Sequence, residues 1–359
     1  MTPWPDHASD PEWLGGGAAQ DDVVLSSRVR LARNISSFRF MIRASRAESA
    51  RLVERVGEVV RADTFPEKVA WIELHHASPA DRALCVERHL ISIQHSRGKQ
   101  SNGIGGLDEP RALAASVPGE QLAIMVNEED HLRIQAIRAG LNLEDAFERA
   151  NRADDVLDEA LGFAFSPRLG YLTACPTNVG TGARFSVMLH LVGLRLLGEV
   201  DKLKRAASDM SLAVRGFLGE GSEPSGDFHQ LSNQVTLGKE ERAILDEFRG
   251  AILPRIIEYE HAARRKLLST RRAVVEDQVH RAVGTLRSAR LMTSEEAMQL
   301  LSLARFGATA GLVDLDARSV TRLFLTVQSE HLQRTVGRRL SQEDRQVERA
   351  TVLRRALGG

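Results

Sequence analysis

Cys175 lies in the stretch with the clearest chemistry, Tyr171 to Leu191, where apolar residues run into a cysteine, then into the turn formers Pro176, Thr177 and Asn178, then into Gly180 and Gly182. The pattern predicts a strand over 170–174 that ends at the cysteine. Glycines then let backbone amides converge, and a helix follows, carrying Phe185, Val187, Met188, Leu189 and Leu191 into a core. A loop that opens a helix in this way is an anion site. It lacks the Gly-Lys-Ser/Thr of a Walker A loop and the glycine spacing of a dinucleotide fingerprint, so Arg184 takes the place of the lysine. A thiol after a strand and before amide-rich backbone among arginines is expected as a thiolate, the alternative being a small buried hydrophobe.

Two other stretches offer matching charge. Val23 to Arg33 alternates, with Val23, Leu25, Val29 and Leu31 on one strand parity and Arg28 and Arg30 on the other, so that both guanidiniums project from one face. Asn127-Glu128-Glu129-Asp130 places four acceptors in a row. A second alternating strand follows, in which Leu132, Ile134 and Ala136 oppose His131, Arg133 and Gln135. On spacing alone these are also what a solvated strand face and a solvated turn look like.

Taken together, CPTNVGTG at 175–182, SSRVRLARN at 26–34 and VNEEDHLR at 126–133 resemble the guanidino (phosphagen) kinase family, in the family's order and across residues 20–240. The resemblance implies an ATP-dependent kinase using Mg²⁺, with Arg28, Arg30, Arg133 and Arg184 as phosphate ligands and Glu129 as the catalytic carboxylate. It further implies nucleotide contacts from Ser26, Ser27, Val29, Phe185, Ser186, Val187 and Met188. ERHLIS at 87–92 resembles the family's short strand whose histidine meets the nucleotide, making His89 an ATP-site residue or else a structural histidine. Creatine and arginine kinases place a phosphate-binding arginine where this chain has Leu218. The bacterial protein-arginine kinase branch instead has an RGxxGE arrangement, which Arg215, Gly216, Phe217, Leu218, Gly219 and Glu220 fit. Arg215 then binds phosphate and Glu220 is the second acceptor carboxylate, with Glu223 as the other possibility.

Layout also favours that branch. Small-guanidine kinases carry a helical domain ahead of the SxRxR block, whereas here the block begins at Ser26, which implies a cleft open to an arginine on a polypeptide. The resemblance implies protein substrates, a zinc-binding activator protein, a Clp-type protease system and a homodimer. The alternatives are a small-guanidine kinase and a non-catalytic phosphoarginine-binding adaptor.

The resemblance implies that these groups are held by an α+β fold, a central antiparallel sheet flanked by helices, and the residue pattern adds a helical C-terminal region. Residues 1–20 read as a mobile leader with Trp4 and Trp13, 21–240 as the catalytic domain and 241–359 as the helical domain. Helices are expected over 45–63, capped by Ser45 with Glu48, over 143–161 and over 200–207. Strands are expected over 69–74, over 113–117 and 121–126 about Pro118-Gly119, and from 211 into a glycine-rich acidic loop. Asn102 to Gly106 is either a lid or a hairpin connection.

The tail over 341–357 reads as a helix capped by Ser341, with Val347, Ala350, Val352 and Leu353 as its apolar stripe. Its RQVERA segment, Arg345 to Ala350, resembles the RDxxRA motif with which the bacterial branch senses phosphoarginine, Gln346 replacing the aspartate and Arg345 and Arg349 lying four apart on one face. The competing reading is a solvated face with Arg345 paired to Glu348. Lys and Arg equal Asp and Glu at 48 each, so no global field favours nucleic acid. Two cysteines, Cys85 and Cys175, exclude a disulfide framework, and His75, His76 and His95 read as surface or packing residues without metal spacing. No apolar run approaches the about eighteen residues of a membrane span, and a cytoplasmic protein is expected.

Overall fold

The computed structural model describes residues 10–17, 20–62, 64–98, 106–217 and 225–359. Ten strands and thirteen α-helices are found among them. The strands are β1 (Val24–Arg33), β2 (Val69–Glu73), β3 (Ala112–Ser116), β4 (Leu122–Val126), β5 (Leu132–Ala139), β6 (Phe165–Ser166), β7 (Gly170–Tyr171), β8 (Ala183–His190), β9 (Leu212–Arg215) and β10 (Phe228–Asn233). The catalytic-half helices are α1 (Arg46–Arg61), α2 (Pro79–Glu87), α3 (Ile93–Arg97), α4 (Leu143–Leu161), α5 (Val192–Leu196) and α6 (Val200–Asp209). Beyond them come α7 (Glu241–Glu247), α8 (Leu253–Thr270), α9 (Arg272–Ser288), α10 (Ser294–Thr309), α11 (Ala317–Thr326), α12 (Ser329–Val336) and α13 (Gln342–Leu357). Eight strands form one sheet in the order β2-β3-β4-β5-β1-β8-β10-β9, antiparallel at every junction. None of the described helices is long and apolar enough to cross a membrane.

Alternation along the strands gives the sheet two unlike faces. Val29, Leu31, Ile124, Ile134, Phe185 and Val187 point to one face, where α1, α4, α7 and the start of α8 cover them in the main core. The other face is apolar only at its two ends. Leu113, Ala115, Ala123 and Met125 pack there with Leu74, Cys85, Leu90 and Ile91 at one end. Leu25, Ile137, Met188 and Phe228 pack with α9, α10, α11 and α13 at the other. The middle of that face carries Arg28, Arg30, Arg133 and Arg184, and this is where the site lies.

Several expectations change. Residues 183–190 are a central strand rather than a helix: their apolar side chains recur at Phe185, Val187 and Leu189, every second residue, and both flanks are taken by β1 and β10. Residues 170–174 give only the two-residue β7. The ERHLIS segment is the end of α2 and a turn in which His89 is left-handed (φ 61), not a strand. Leu25 leaves the parity of Val29 because a bulge between Val24 and Ser26 turns it to the opposite face. Trp13 and Leu14, in the expected leader, form a short 3₁₀ turn and are buried against the C-terminal helices. Most of the Asn102–Gly106 loop lies outside the described residues. The capping box of Ser45 and Glu48, the 143–161 helix and the helical C-terminal region are found as expected. In α13 Ser341 caps as expected, but Val347 is exposed and the buried stripe is Ala350, Leu353 and Leu357.

The packing does not break at residue 240, since Ile244, Leu245, Phe248, Ile256 and Ile257 belong to the main core. Farther on, α12 is fastened to α2. The Glu87 carboxylate accepts from the amides of Glu330 (2.9 Å) and His331 (3.0 Å) and from His331 Nδ1 (2.9 Å), while Arg334 reaches Asp81 at 2.8 Å. Glu87 thus caps α12 from another element, with charge matched to the helix N-terminus. Glu87→Ala is expected to cost about 1–3 kcal/mol, read by urea unfolding, with protease cutting appearing first in the 327–341 segment.

Candidate active site

The polar centre of the second face opens into a cavity of about 580 Å³ lined by Arg30, Arg133, Arg184, Arg215, Glu128, Glu129 and Cys175, with Gln94, Thr177 and Asn178 at its margin. Cross-strand register explains the grouping. Arg30 of β1 lies opposite Arg184 of β8 and Gln135 of β5, Arg28 opposite Ser186, and Gln230 of β10 opposite both Met188 and Arg215. Arg28 donates to Gln230 Oε1 at 2.5 Å. Burial, then repulsion from Arg133, Arg215 and Arg184, brings Arg28 down to about 10. Arg30 is pushed down further by burial and by the guanidiniums around it, and its buried Nε has no hydrogen-bond partner among the described residues. Converging guanidinium forks with an orphaned donor fit a polyphosphate, so the residues present suit ATP.

The four acceptors 127–130 divide into distinct tasks. Asn127 Nδ2 donates to the Ser49 and Pro110 carbonyls, which is a structural role. Glu128 is buried and takes both Arg133 nitrogens (3.0 and 2.8 Å), Ser92 Oγ at 2.7 Å and the Glu129 amide at 2.8 Å. Burial works against its charge, but Arg133, His95 and these hydrogen bonds outweigh it and hold the carboxyl below the usual range. Glu129 faces the cavity, 3.5 Å from Arg133 Nη2. Asp130 Oδ1 accepts from Asn34 Nδ2 at 2.7 Å and from the Ala174 amide at 2.6 Å, fixing the residue before Cys175, and its burial pushes the carboxyl up to about 6.

Cys175 opens a 3₁₀ turn over Pro176–Asn178, and its Sγ lies 3.0 Å from Thr177 Oγ1. The turn is tied down rather than leading into a helix. Thr236 Oγ1 donates to the Thr177 and Val179 carbonyls, and the Thr181 amide donates to Thr236 O at 2.8 Å. A side chain at Gly180 would strike the Thr236 carbonyl and one at Gly182 the Ala32 carbonyl, and both positions have positive φ, so glycine is required at each. From below, buried Arg33 donates to Thr181 O at 2.8 Å, pairs with Asp154 and Glu241, and stacks 3.5 Å over the Tyr171 ring.

Beside the cavity a narrow slot of about 10 Å³ is walled by Trp13, His89, Phe217, Ile137 and Met188, with Ser26 and Arg28 at its polar end. His89 lies edge-on between Trp13 and Phe217, at 5.0 Å from each ring. Its ring is held neutral, pushed down to about 3 by burial and then by Arg28 and His331. As it stands the slot has room for about one water, so it is a packed aromatic border of the arginine array rather than an open base pocket.

The structure therefore gathers Ser26, Arg28, Arg30, His89, Glu129, Arg133, Cys175, Arg184, Ser186, Met188, Arg215 and Phe217. It turns Val29 and Phe185 into the opposite core, while Val187 belongs to that core and also borders the slot. Ser27 Oγ is spent on Gly140 O and the Asn142 amide. Gly216 is buried after β9, and Leu218, Gly219, Glu220 and Glu223 lie outside the described residues. Glu128, Asp130, Gln230 and Trp13 were missed as site or positioning residues; an uninterrupted acidic run beside an arginine strand was the available signal for the first two.

The tail residues sit apart from this cavity. Arg349 is buried, donating from Nε to Val327 O at 2.7 Å and from Nη1 to Met292 O at 3.0 Å. Half-buried Arg345 donates to Leu340 O at 3.3 Å, and the Gln346 carbonyl accepts from the Met292 amide at 3.1 Å. Ala350 belongs to the core of the helical region.

Comparison with known proteins agrees with this geometry. A family model described as the ATP:guanido phosphotransferase C-terminal catalytic domain matches residues 51–263, and one described as the protein-arginine kinase McsB C-terminal domain matches 272–359. Protein-arginine kinases of Symbiobacterium thermophilum and Halothermothrix orenii are 43% and 39% identical, over 97% and 96% of both chains. The fold is shared with a taurocyamine kinase of Schistosoma mansoni solved with transition-state-analogue components (TM-score 0.60, 24% identity, 71% of this chain and 36% of that one). An arginine-lined cavity, an acidic turn and a cysteine turn on one antiparallel sheet thus meet matches along nearly the whole sequence, and the chain belongs to the protein-arginine kinase family of ATP:guanido phosphotransferases.

Proposed function

We propose that this protein transfers the γ-phosphoryl group of ATP to arginine side chains of proteins. The observation that carries the reading is the convergence of Arg30, Arg133, Arg184 and Arg215 with Glu129 and Cys175 on one cavity. Phosphoryl transfer needs positioning and charge compensation more than covalent help, and the arginine array meets that need for the triphosphate. Mg²⁺ would be held mainly by phosphate oxygens and water and would supply the remaining neutralisation.

The acceptor is the harder problem, because a guanidinium has a pKa above about 12 and no free lone pair. An acceptor Nη must lose a proton as it bonds to the γ-phosphorus, while the bond from that phosphorus to the ADP oxygen breaks. In this reading Glu129 takes the proton and Cys175, which lines the same cavity, orients the guanidinium. Glu220 is the second carboxylate we assign to the clamp. Glu128 keeps Arg133 aimed into the cavity.

By the same reading the protein works in the cytoplasm as a homodimer, with a zinc-binding activator and Clp-type protease machinery as partners. At the tail, Arg349 supports the fold through its carbonyl contacts, so phosphoarginine recognition there falls to Arg345 and Gln346.

The direct assay supplies ATP and Mg²⁺ with an unfolded protein, free arginine or creatine, and looks for acid-labile phosphate on arginine. Protein phosphoarginine is expected; phosphorylation of the free guanidines alone would overturn the reading. Cys175→Ser should lower kcat by about 10- to 100-fold, ~1.4–2.7 kcal/mol, with ATP affinity nearly intact. Glu129→Gln should be more severe, by about 10²–10⁴ in kcat, since base and clamp are lost together. Glu128→Gln should raise KM for ATP and lower kcat about tenfold, ~1.4 kcal/mol, because Arg133 loses its charged anchor; unchanged kinetics would remove Glu128 from the positioning role.

A further inference from the structure

The three side chains at the end of the edge strand β2 are unused by the kinase site. Glu73 closes the strand, and the chain then turns so that its carbonyl accepts from the His76 and Ala77 amides, both at 3.1 Å. This turn brings Glu73, His75 and His76 onto one side. His75 Nε2 lies 3.8 Å and His76 Nε2 3.7 Å from Glu73 Oε2, and the imidazole centroids are 4.0 Å apart. One donor atom from each residue falls within 4.8 Å of the other two. Their sequence spacing, two and then one, hid this set from a search for separated ligand pairs.

We infer that Glu73, His75 and His76 form a His₂Glu site for a borderline divalent transition ion such as Zn²⁺, with one coordination position left open. A tetrahedral ion about 2.0–2.1 Å from each donor separates neighbouring donors by roughly 3.3 Å. The two carboxylate–imidazole distances, 3.8 and 3.7 Å, exceed that by about half an ångström at most. His76 is exposed on the turn and free to make the remaining adjustment.

The support around the ligands is built in. His75 Nδ1 lies 3.1 Å from the Arg111 carbonyl, which fixes the ring and leaves Nε2 to the ion. The same carbonyl accepts from the Leu74 amide at 2.9 Å, and Arg82 Nη1 donates to the Leu74 and Ala77 carbonyls at 3.2 and 2.5 Å. Leu74 itself is fully buried, so the turn carrying all three donors is anchored from beneath. The Arg111 guanidinium points away from the ligands, toward the carbonyls of His95, Leu107 and Glu109. Two imidazoles and one carboxylate select Zn²⁺, Co²⁺, Ni²⁺ or Cu²⁺ over Mg²⁺, so the site does not compete for the ion that accompanies ATP.

The test uses the untagged full chain stripped of metal, titrated calorimetrically with Zn²⁺ and followed in parallel by Co²⁺ absorption. The proposal expects one equivalent bound, weakened at least tenfold by His76→Ala and by Glu73→Gln, and retained in Cys175→Ser. Because His76 is exposed, His76→Ala should leave the unfolding midpoint of the metal-free protein unchanged. Amide exchange of bound wild type should slow over 73–77 and stay unchanged in His76→Ala. Absence of binding, equal affinity in wild type and His76→Ala, or a thiolate-to-cobalt charge-transfer band that places the ion on Cys175 would each overturn the site.

Discussion

Like charge confined to one cavity is the constraint around which this molecule is arranged. Burial first, and then repulsion among Arg28, Arg30, Arg133, Arg184 and Arg215, pushes Arg28 and Arg30 below the ordinary arginine range. Flexible side chains on loops would relieve that repulsion by swinging into solvent. Here each guanidinium is rooted on a strand, and strand neighbours fix their separation. The rigidity of an eight-stranded sheet is what keeps repelling groups together, and a polyanion is the ligand such an array complements. Electrostatic complementarity is thus preorganised rather than assembled on binding.

The sheet can do this only because its other face carries the packing. Val29, Phe185 and Val187 alternate with Arg28, Arg30, Arg184 and Ser186, so residues adjacent in sequence serve opposite faces and opposite purposes. Beneath the cysteine turn, one more arginine does the reverse of the cluster. Arg33 is buried with Asp154, Glu241 and the Tyr171 ring, and it spends its charge holding the Thr181 carbonyl. Arg33 therefore positions the turn, while the clustered arginines, of which Arg133 is anchored by Glu128, face the cavity and the slot.

Much of the site was legible because short-range pattern determines it. Parity alone placed Arg28 and Arg30 on one face, and the acidic run marked the turn beside Arg133. What failed was the element after Gly182. A glycine-rich turn suggested a helix start, yet Phe185, Val187 and Leu189 repeat with period two, and hydrogen bonding from β1 and β10 decides the matter. Tertiary partners are invisible locally. The same holds for Trp13, whose leader-like composition gave no hint of the slot it walls, and for Arg349, whose helical spacing from Arg345 said nothing of the Val327 and Met292 carbonyls that claim it. The bulge that turns Leu25 inward likewise depends on pairing with β8.

The C-terminal helices are not an appendage to this arrangement. Trp13, Phe217 and Met188, three walls of the aromatic slot, belong to the same apolar cluster as Leu286, Met298, Leu301 and Phe324. The slot is therefore backed by side chains from α9, α10 and α11. A second contact reaches it through α2: Glu87 holds the start of α12, Arg88 pairs with buried Glu120 at 2.8 Å, and His89 follows directly into the slot, its backbone carbonyl accepting from Gln135 at 2.7 Å. At the far side of α12, Arg349 of α13 grips the Val327 carbonyl just before that helix begins. Three consecutive residues, 87 to 89, thus join the helical region to the slot, through part-buried charge-assisted bonds at Glu87, a buried ion pair at Arg88 and a neutral backbone hydrogen bond at His89. The geometry of the slot is consequently a property of both halves of the chain.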